Sequence, residues 1–338
     1  MPGSEAMMSV STPLAVPLDP VARADLATMA EDAIARGSKS FAAAAKLFDP
    51  ETRRSAMMLY AWCRHCDDAI DGQVLGFARR PDLEASRPDE RLARLEEETL
   101  AALAGKPTRD PCFRAIGDVA ARHRLPQELL TQHLAGFRMD VEGRHYGTIA
   151  DTLDYCYHVA GVVGVMMSMV MGVREETTLD RASDLGIAFQ LTNIARDIVE
   201  DARSGRVYLP QEWLAEADLR PGEIVDRRQR PVVALLANRL VDLAEPYYAS
   251  AFHGLKELPP RSAWAVATAQ GVYREIGLQV KAMGAEAWDR RVSTSRSQKL
   301  RHVALGLGRA ALARRAAAQE RPKDLWTRPR LGSPSRPS

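Results

Sequence analysis

Two stretches of this chain place carboxylates where hydrocarbon would be expected. Residues 60 to 71, YAWCRHCDDAID, set Asp67 and Asp71 four apart, and residues 185 to 205, LGIAFQLTNIARDIVEDARSG, set Asp197 and Asp201 at the same spacing. A helix advances about 100° per residue, so Tyr60, Arg64, Asp67 and Asp71 share one narrow stripe, with Asp68 at its edge. Gln190, Asn193, Asp197 and Asp201 form a second stripe in the same way. Two carboxylates one turn apart repel each other unless something cationic lies against them. A solvated face would also carry charge, but the flanks AMMLYAWC and AI are apolar. Ile187, Phe189, Leu191, Ile194, Ile198 and Val199 make the second stretch apolar on nearly every other side, which implies burial all round. The stripes therefore predict the lining of an internal cavity, facing one another across a bundle. Ligands that offer only oxygen suit magnesium or manganese rather than zinc. Magnesium keeps open positions that substrate phosphates fill, so the cleft is expected to take a diphosphate, with Arg64 and Arg196 as partners.

Long helices must carry these stripes. Alternating strand patterns are scarce, and alanine, leucine, methionine and glutamate dominate between proline and glycine punctuation, so the fold class is expected to be all-α. Asp49-Pro50-Glu51 supplies an N-cap, a proline at the first helical position and an early acid, opening a helix that runs to Gly72. Further helices are expected near residues 90 to 104, 110 to 123, 126 to 143, 151 to 172, 178 to 203, 209 to 217, 230 to 255, 261 to 286 and 294 to 318. The organisation predicted is a flexible leader over 1–24, one helical domain over 25–318, and a basic, disordered tail over 319–338, whose composition lacks core periodicity.

Composition excludes several classes. With 46 basic and 44 acidic residues, the net charge of +2 gives no global case for nucleic-acid binding. The basic tail with Trp326 instead predicts peripheral contact with an anionic membrane. Cys63, Cys66, Cys112 and Cys156 are too few for a disulfide scaffold, and no secretory leader is apparent, so the expected location is cytoplasmic. The apolar run from Val159 to Val173 falls short of the roughly 20 residues that cross a bilayer and reads as a core helix. Cys63-x-x-Cys66 reads as core packing. Gly306, Gly308 and Ala311 spell a dinucleotide fingerprint, but in helical context without a preceding strand. His65 and His158 read as hydrogen-bonded supports, and Gly161 and Gly164 as close helix contacts.

The stretches GSKSF (37–41), YAWCRHCDDAID (60–71), YCYHVAGVVG (155–164), FQLTNIARDIVED (189–201) and RVYLP (206–210) together resemble the squalene and phytoene synthase family of head-to-head prenyltransferases. The likeness is to its bacterial phytoene-forming members and spans about residues 38 to 291. It implies a single large helical bundle of the isoprenoid synthase type with a central cavity. It also implies condensation of two geranylgeranyl diphosphates through prephytoene diphosphate to phytoene, with magnesium or manganese and no NADPH. By the same likeness, Asp67, Asp71, Asn193, Asp197 and Asp201 would hold metal, and Tyr157 would join the four aspartates as catalytic. Substrate would be bound by Ser38 and Phe41 in a flap, by Arg64, Gln190, Arg196 and Arg290, and by the aromatic residues Tyr60, Tyr208 and Tyr273. The alternatives are squalene or dehydrosqualene formation from farnesyl diphosphate and, in another class, a non-catalytic binding or assembly protein of this fold, which loss of an acid pair would mark. The sequence sets no oligomeric state.

Overall fold

The computed structural model describes residues 16–37, 39–71, 73–74, 78–79 and 86–331. These form twelve α-helices: α1 (Pro20–Gly37), α2 (Lys39–Ala45), α3 (Pro50–Asp71), α4 (Pro88–Leu103), α5 (Pro111–His123), α6 (Gln127–Val141), α7 (Ile149–Val170), α8 (Glu176–Arg203), α9 (Gln211–Glu216), α10 (Arg230–Gly254), α11 (Pro260–Met283) and α12 (Arg296–Arg315). Among the described residues the only strands are Gln73–Val74 and Ala78–Arg79, a short antiparallel pair just after α3. The all-α expectation holds, and the expected helices match the observed ones to within a few residues.

Local chemistry sets the helices that matter. Asp49 caps α3 by accepting from the Glu51 and Thr52 N–H groups at 3.1 and 3.0 Å. Glu175 does the same for α8 through Thr177 and Thr178, and Gly205, at φ +81°, follows its last turn. On α3 the residues Ser55 to Leu59, Ala61, Trp62, Cys66 and Ile70 are buried, leaving the Tyr60, Arg64, Asp67 and Asp71 stripe half-buried. α8 runs through the centre of the bundle, packed along α7, α10 and α11.

α7 is long and apolar enough to cross a membrane, yet it is packed against α6 and α8 and serves as a core helix. It contains one π-helical turn, Tyr157–Gly161. Its crossing with α8 is backbone on backbone. A Cβ on Gly186 would lie 2.2 Å from the Ala160 carbonyl oxygen, and one on Gly164 would lie 2.3 Å from that of Ala182. Gly306, from the fingerprint-like run, sits inside α12, where a Cβ would meet Thr268 Oγ1 at 2.4 Å. That glycine serves helix packing.

Both expected domain edges move outward. α1 begins at Pro20, and its buried Arg23 pairs with Asp118 at 2.9 Å, so the helical domain starts before residue 25. Leu18 N–H also bonds Asp118, at 2.8 Å; residues 1–15 of the expected leader lie outside the described residues. The tail expected to be disordered is instead a packed, irregular strap as far as Leu331. Leu325 and Arg328 are buried, and Arg321 bonds Asp184 through two nitrogens at 2.9 and 2.8 Å. Composition misled here because ion pairs, and not a periodic apolar face, anchor the segment. Residues 332–338 lie outside the described residues.

Candidate active site: an apolar chamber with an acidic mouth

A cavity of about 440 Å³ opens between α3, α7, α8 and α11. Its body is apolar, with Phe48, Val163, Met167, Leu185 and Phe189 in the wall. Toward one end it becomes polar. Tyr60, Arg64 and Asp67 enter from α3, Gln190 and Asn193 from α8, and Asp140 from α6. Tyr273 of α11 stacks on Phe189 at 4.2 Å between ring centroids, giving the chamber an aromatic face. Asp71 and Asp197 continue the two stripes beyond the lining, and Asp201 lies a turn farther along α8, so the acid pairs ring the mouth.

Among the described residues, the guanidiniums at this mouth are occupied by aspartates. Arg64 pairs with Asp67 and Asp68, each at 3.0 Å. Arg196 forks onto Asp197, which Arg291 also approaches at 3.4 Å. Arg206, on the loop after α8, bonds Asp71 on α3 at 2.5 Å and so ties the two acidic helices together. Asp140 accepts from the Tyr208 and Tyr155 hydroxyls at 2.9 and 3.1 Å. Six carboxylates thus face four guanidiniums. Burial drives the Asp67 carboxyl up to about 7, with Asp71 and Asp68 adding to the rise and Arg64 and Arg206 opposing it. Asp201 is pushed up to about 8 by burial and by Asp197, again opposed by Arg206. A cation brought against either carboxyl would favour its charged form and lower it again.

The donor set fits hard divalent ions: four carboxylates and the Asn193 amide, with no thiol or imidazole among them. Among the described residues, the group whose donor atoms converge within 4.8 Å is a different one, His65, Asp110 and Cys112. There Asp110 caps α5 by accepting from the Cys112 N–H at 2.8 Å, His65 packs edge-on against Phe113, and burial pushes the Cys112 thiol up. No three of the four aspartates bring ligand oxygens within 4.8 Å of one another among the described residues. Cys66 is buried and Cys63 lies in the cavity wall, both as free thiols. His158 bonds the Gln132 carbonyl at 2.7 Å, in the supporting role expected.

The structure brings Tyr60, Arg64, Asp67, Gln190, Asn193 and Tyr273 to the chamber, with Asp71, Arg196, Asp197 and Asp201 at its mouth. Three expectations are corrected. Tyr157 does not line the cavity: it is fully buried, its hydroxyl donates to Gln132 Oε1 at 2.6 Å, and its ring lies 4.9 Å from that of Trp326. Tyr155, Val159 and Ala160 face the chamber, and Tyr157, two residues from Tyr155 and from Val159, points to the other side of α7. Tyr208 sits behind the mouth, bonded to Asp140, and lines only a small cleft with Asp201 and Arg206. Arg290 is exposed, and its neighbour Arg291 reaches Asp197. Ser38 lies outside the described residues, and of Phe41 only the backbone, within α2, is described. Sequence reasoning missed Arg206, Asp140 and Arg291. Arg206 had a signal, since it opens the RVYLP stretch that carried the resemblance.

A family model described as squalene/phytoene synthase matches residues 34–298. A phytoene synthase of Pseudescherichia vulneris is 55% identical over 300 residues, covering 89% of this chain and 97% of its own. A 15-cis-phytoene synthase of Enterobacter agglomerans is 54% identical over 294 residues, covering 87% and 99%. Among solved structures, a dehydrosqualene synthase bound to a ligand superposes with a TM-score of 0.75 at 27% identity, covering 85% of this chain and 96% of that one. Enzymes of this kind are prenyltransferases that depend on divalent metal. A fold of stacked helices, an apolar chamber and paired Asp-x-x-x-Asp motifs agree with the match along most of the sequence, and the chain belongs to the squalene/phytoene synthase family.

Proposed function

We propose that this prenyltransferase joins two geranylgeranyl diphosphates head to head, through prephytoene diphosphate, to phytoene, releasing two diphosphates in carotenoid biosynthesis. The observation that carries the reading is an apolar chamber whose polar end is flanked by two aspartate pairs. The names of the relatives at 54% identity and above support the same product.

Asp67, Asp71, Asn193, Asp197 and Asp201 would hold the ions. Bound magnesium or manganese supplies electrostatic stabilisation to the departing diphosphate. Once those aspartates are neutralised, Arg64, Arg196, Arg206 and Arg291 are released from their carboxylate partners and turn to phosphate oxygens, the oxyanions their planar donors suit best. The π faces of Tyr60, Phe189 and Tyr273 steady allylic and cyclopropylcarbinyl cations without adding to them, and the apolar wall keeps water from capturing them. Gln190, which accepts from the Asn193 amide at 3.3 Å, holds that side chain in place for its ligand role. Proton loss ends the sequence, so no reductant is consumed.

The proposal extends to a cytoplasmic location, with peripheral contact to an anionic membrane through α12. That helix has no acidic residue, carries Arg296, Lys299, Arg301, Arg309, Arg314 and Arg315, and exposes Leu300, Leu305, Leu307 and Leu312. The tail arginines first considered for this contact are bonded to α8. The deciding assay supplies geranylgeranyl or farnesyl diphosphate with magnesium or manganese, with and without NADPH, and identifies the hydrocarbon. Phytoene from the longer substrate without NADPH is expected. A strict NADPH requirement, or higher kcat/KM on farnesyl diphosphate, would move the chain to squalene-type chemistry.

A further inference from the structure

Residues 317–331 contribute nothing to the acidic mouth, yet they are fastened to α8 more firmly than a surface segment needs to be. Arg321 engages both oxygens of Asp184, whose carboxylate is fully buried. Arg330 engages both oxygens of Asp180, at 2.5 and 2.9 Å. Arg328, itself buried, reaches the same carboxylate at 2.8 Å as well as Glu176. Between these anchors the Trp326 backbone N–H donates to the Tyr247 hydroxyl at 3.1 Å, and the indole packs against Tyr157, whose ring lies against Gly161, next in sequence to Ala160 of the chamber wall.

The strap reaches the chamber itself through Arg181. This residue lines the cavity beside Thr178, Ala182 and Leu185, and its stem packs on Gly254. Its guanidinium donates to the Ser250 carbonyl at 2.9 Å and to the strap's Gln319 carbonyl. A guanidinium beside an apolar chamber stays there only while its donors are met. Arg181 precedes Asp197 by sixteen residues of one helix, a rise of ~24 Å. It therefore lies toward the end of the chamber away from the acid pairs.

We infer that residues 319–331 back the end of the cavity away from the acid pairs, and that Arg181, latched to the Gln319 carbonyl, sets the longest prenyl chain the cavity admits and keeps water out of that end. The inference rests on the prenyl diphosphate reading above and assigns specificity within it to a segment that is remote in sequence from every acid pair.

The test measures calorimetric binding of the S-thiolodiphosphate analogues of farnesyl, geranylgeranyl and geranylfarnesyl chains, with magnesium, to the full-length protein and to Arg181→Ala, Trp326→Ala and Trp326→Phe. Turnover of the matching diphosphates is followed in parallel. In Arg181→Ala the preference is expected to shift toward the geranylfarnesyl chain by at least about tenfold, since even one methylene in a fitted pocket is worth that much. Affinity for inorganic diphosphate should stay unchanged, because the mouth is untouched. Trp326→Ala should shift selectivity the same way and release prenyl alcohols from water capture, and Trp326→Phe should restore the original pattern. If Trp326→Ala does not fold, Arg181→Ala decides, because Arg321, Arg328 and Arg330 still anchor its strap. Unchanged chain-length selectivity in folded Arg181→Ala overturns the inference. Wild-type protein that binds none of the three analogues overturns the function reading and, with it, this one.

Discussion

Replacing Asp201 by asparagine should stabilise the metal-free protein while abolishing turnover, and the structure sets the size and pH window of the effect. Burial and the neighbouring Asp197 raise the Asp201 carboxyl from 3.8 to about 8. A raised acid favours the folded state fully below its unfolded pKa, and that stability is lost as pH rises through the folded value. Asp201 therefore weakens the wild-type fold progressively between about pH 4 and about pH 8. A shift of four units corresponds to a ceiling of about 6 kcal/mol. The side chain is only half-buried, so solvent screening reduces this to ~2 kcal/mol. For 338 residues the unfolding entropy is ~0.7 kcal/mol/K, so the variant should melt ~3 °C above wild type at alkaline pH. At about pH 4 and below the difference should vanish. Calorimetric melting of both proteins after chelation, across that range, reads the difference directly, and carboxylates common to both cancel. Added magnesium should raise the wild-type Tm more than the variant's. A Tm difference that is flat with pH, a less stable variant at alkaline pH, or full hydrocarbon formation by the variant would refute the electrostatic account of the mouth.

Asp67→Asn is expected to abolish hydrocarbon formation with an unchanged circular dichroism spectrum; full activity in the folded variant would remove Asp67 from the ion site. Gly186→Ala drives a Cβ to 2.2 Å from the Ala160 carbonyl, so α7 and α8 must separate. That should cost ~2 kcal/mol net of the gain in helix propensity and lower turnover, as read by melting and kcat; an unchanged Tm would show that the crossing has slack. Leu300→Glu with Leu307→Glu should reduce sedimentation with anionic vesicles and leave turnover of detergent-dispersed substrate intact. Undiminished sedimentation would move the membrane contact off α12.

The acid stripes were legible because helical geometry converts spacing into direction. Asp67 and Asp71, or Asn193 and Asp197, must share a face wherever the helix lies, and apolar flanks say that the face is buried. Partners supplied from elsewhere in the chain left weaker traces. Arg206 and Asp140 stand on a loop and on α6, and nothing local to either announces that it closes on Asp71 or holds Tyr208. Tyr157 was misplaced because the resemblance, and not helical spacing, assigned it: two residues from Tyr155 and from Val159, which line the chamber, it must point to the other side of α7. The strap was misread because Arg321 and Arg330 find their carboxylates some 140 residues earlier in the chain. Segments of that kind look like solvated tails by every local measure.

α8 carries the same carboxylate spacing twice, at Asp180 and Asp184 and again at Asp197 and Asp201. The first pair receives its counter-charge from Arg321, Arg328 and Arg330, joined to it by the chain itself. In the second, Arg196 and Arg291 both engage Asp197 and Arg206 engages Asp71, which leaves Asp201 without an ion pair within 4 Å among the described residues. One helix thus has a permanently neutralised end and an end whose neutrality is borrowed from solution. Chelation can loosen only the borrowed end. The empty enzyme should therefore keep its far end as a rigid template while the mouth breathes, and each catalytic cycle has to reorganise only the last few turns around the ions and diphosphates that enter there.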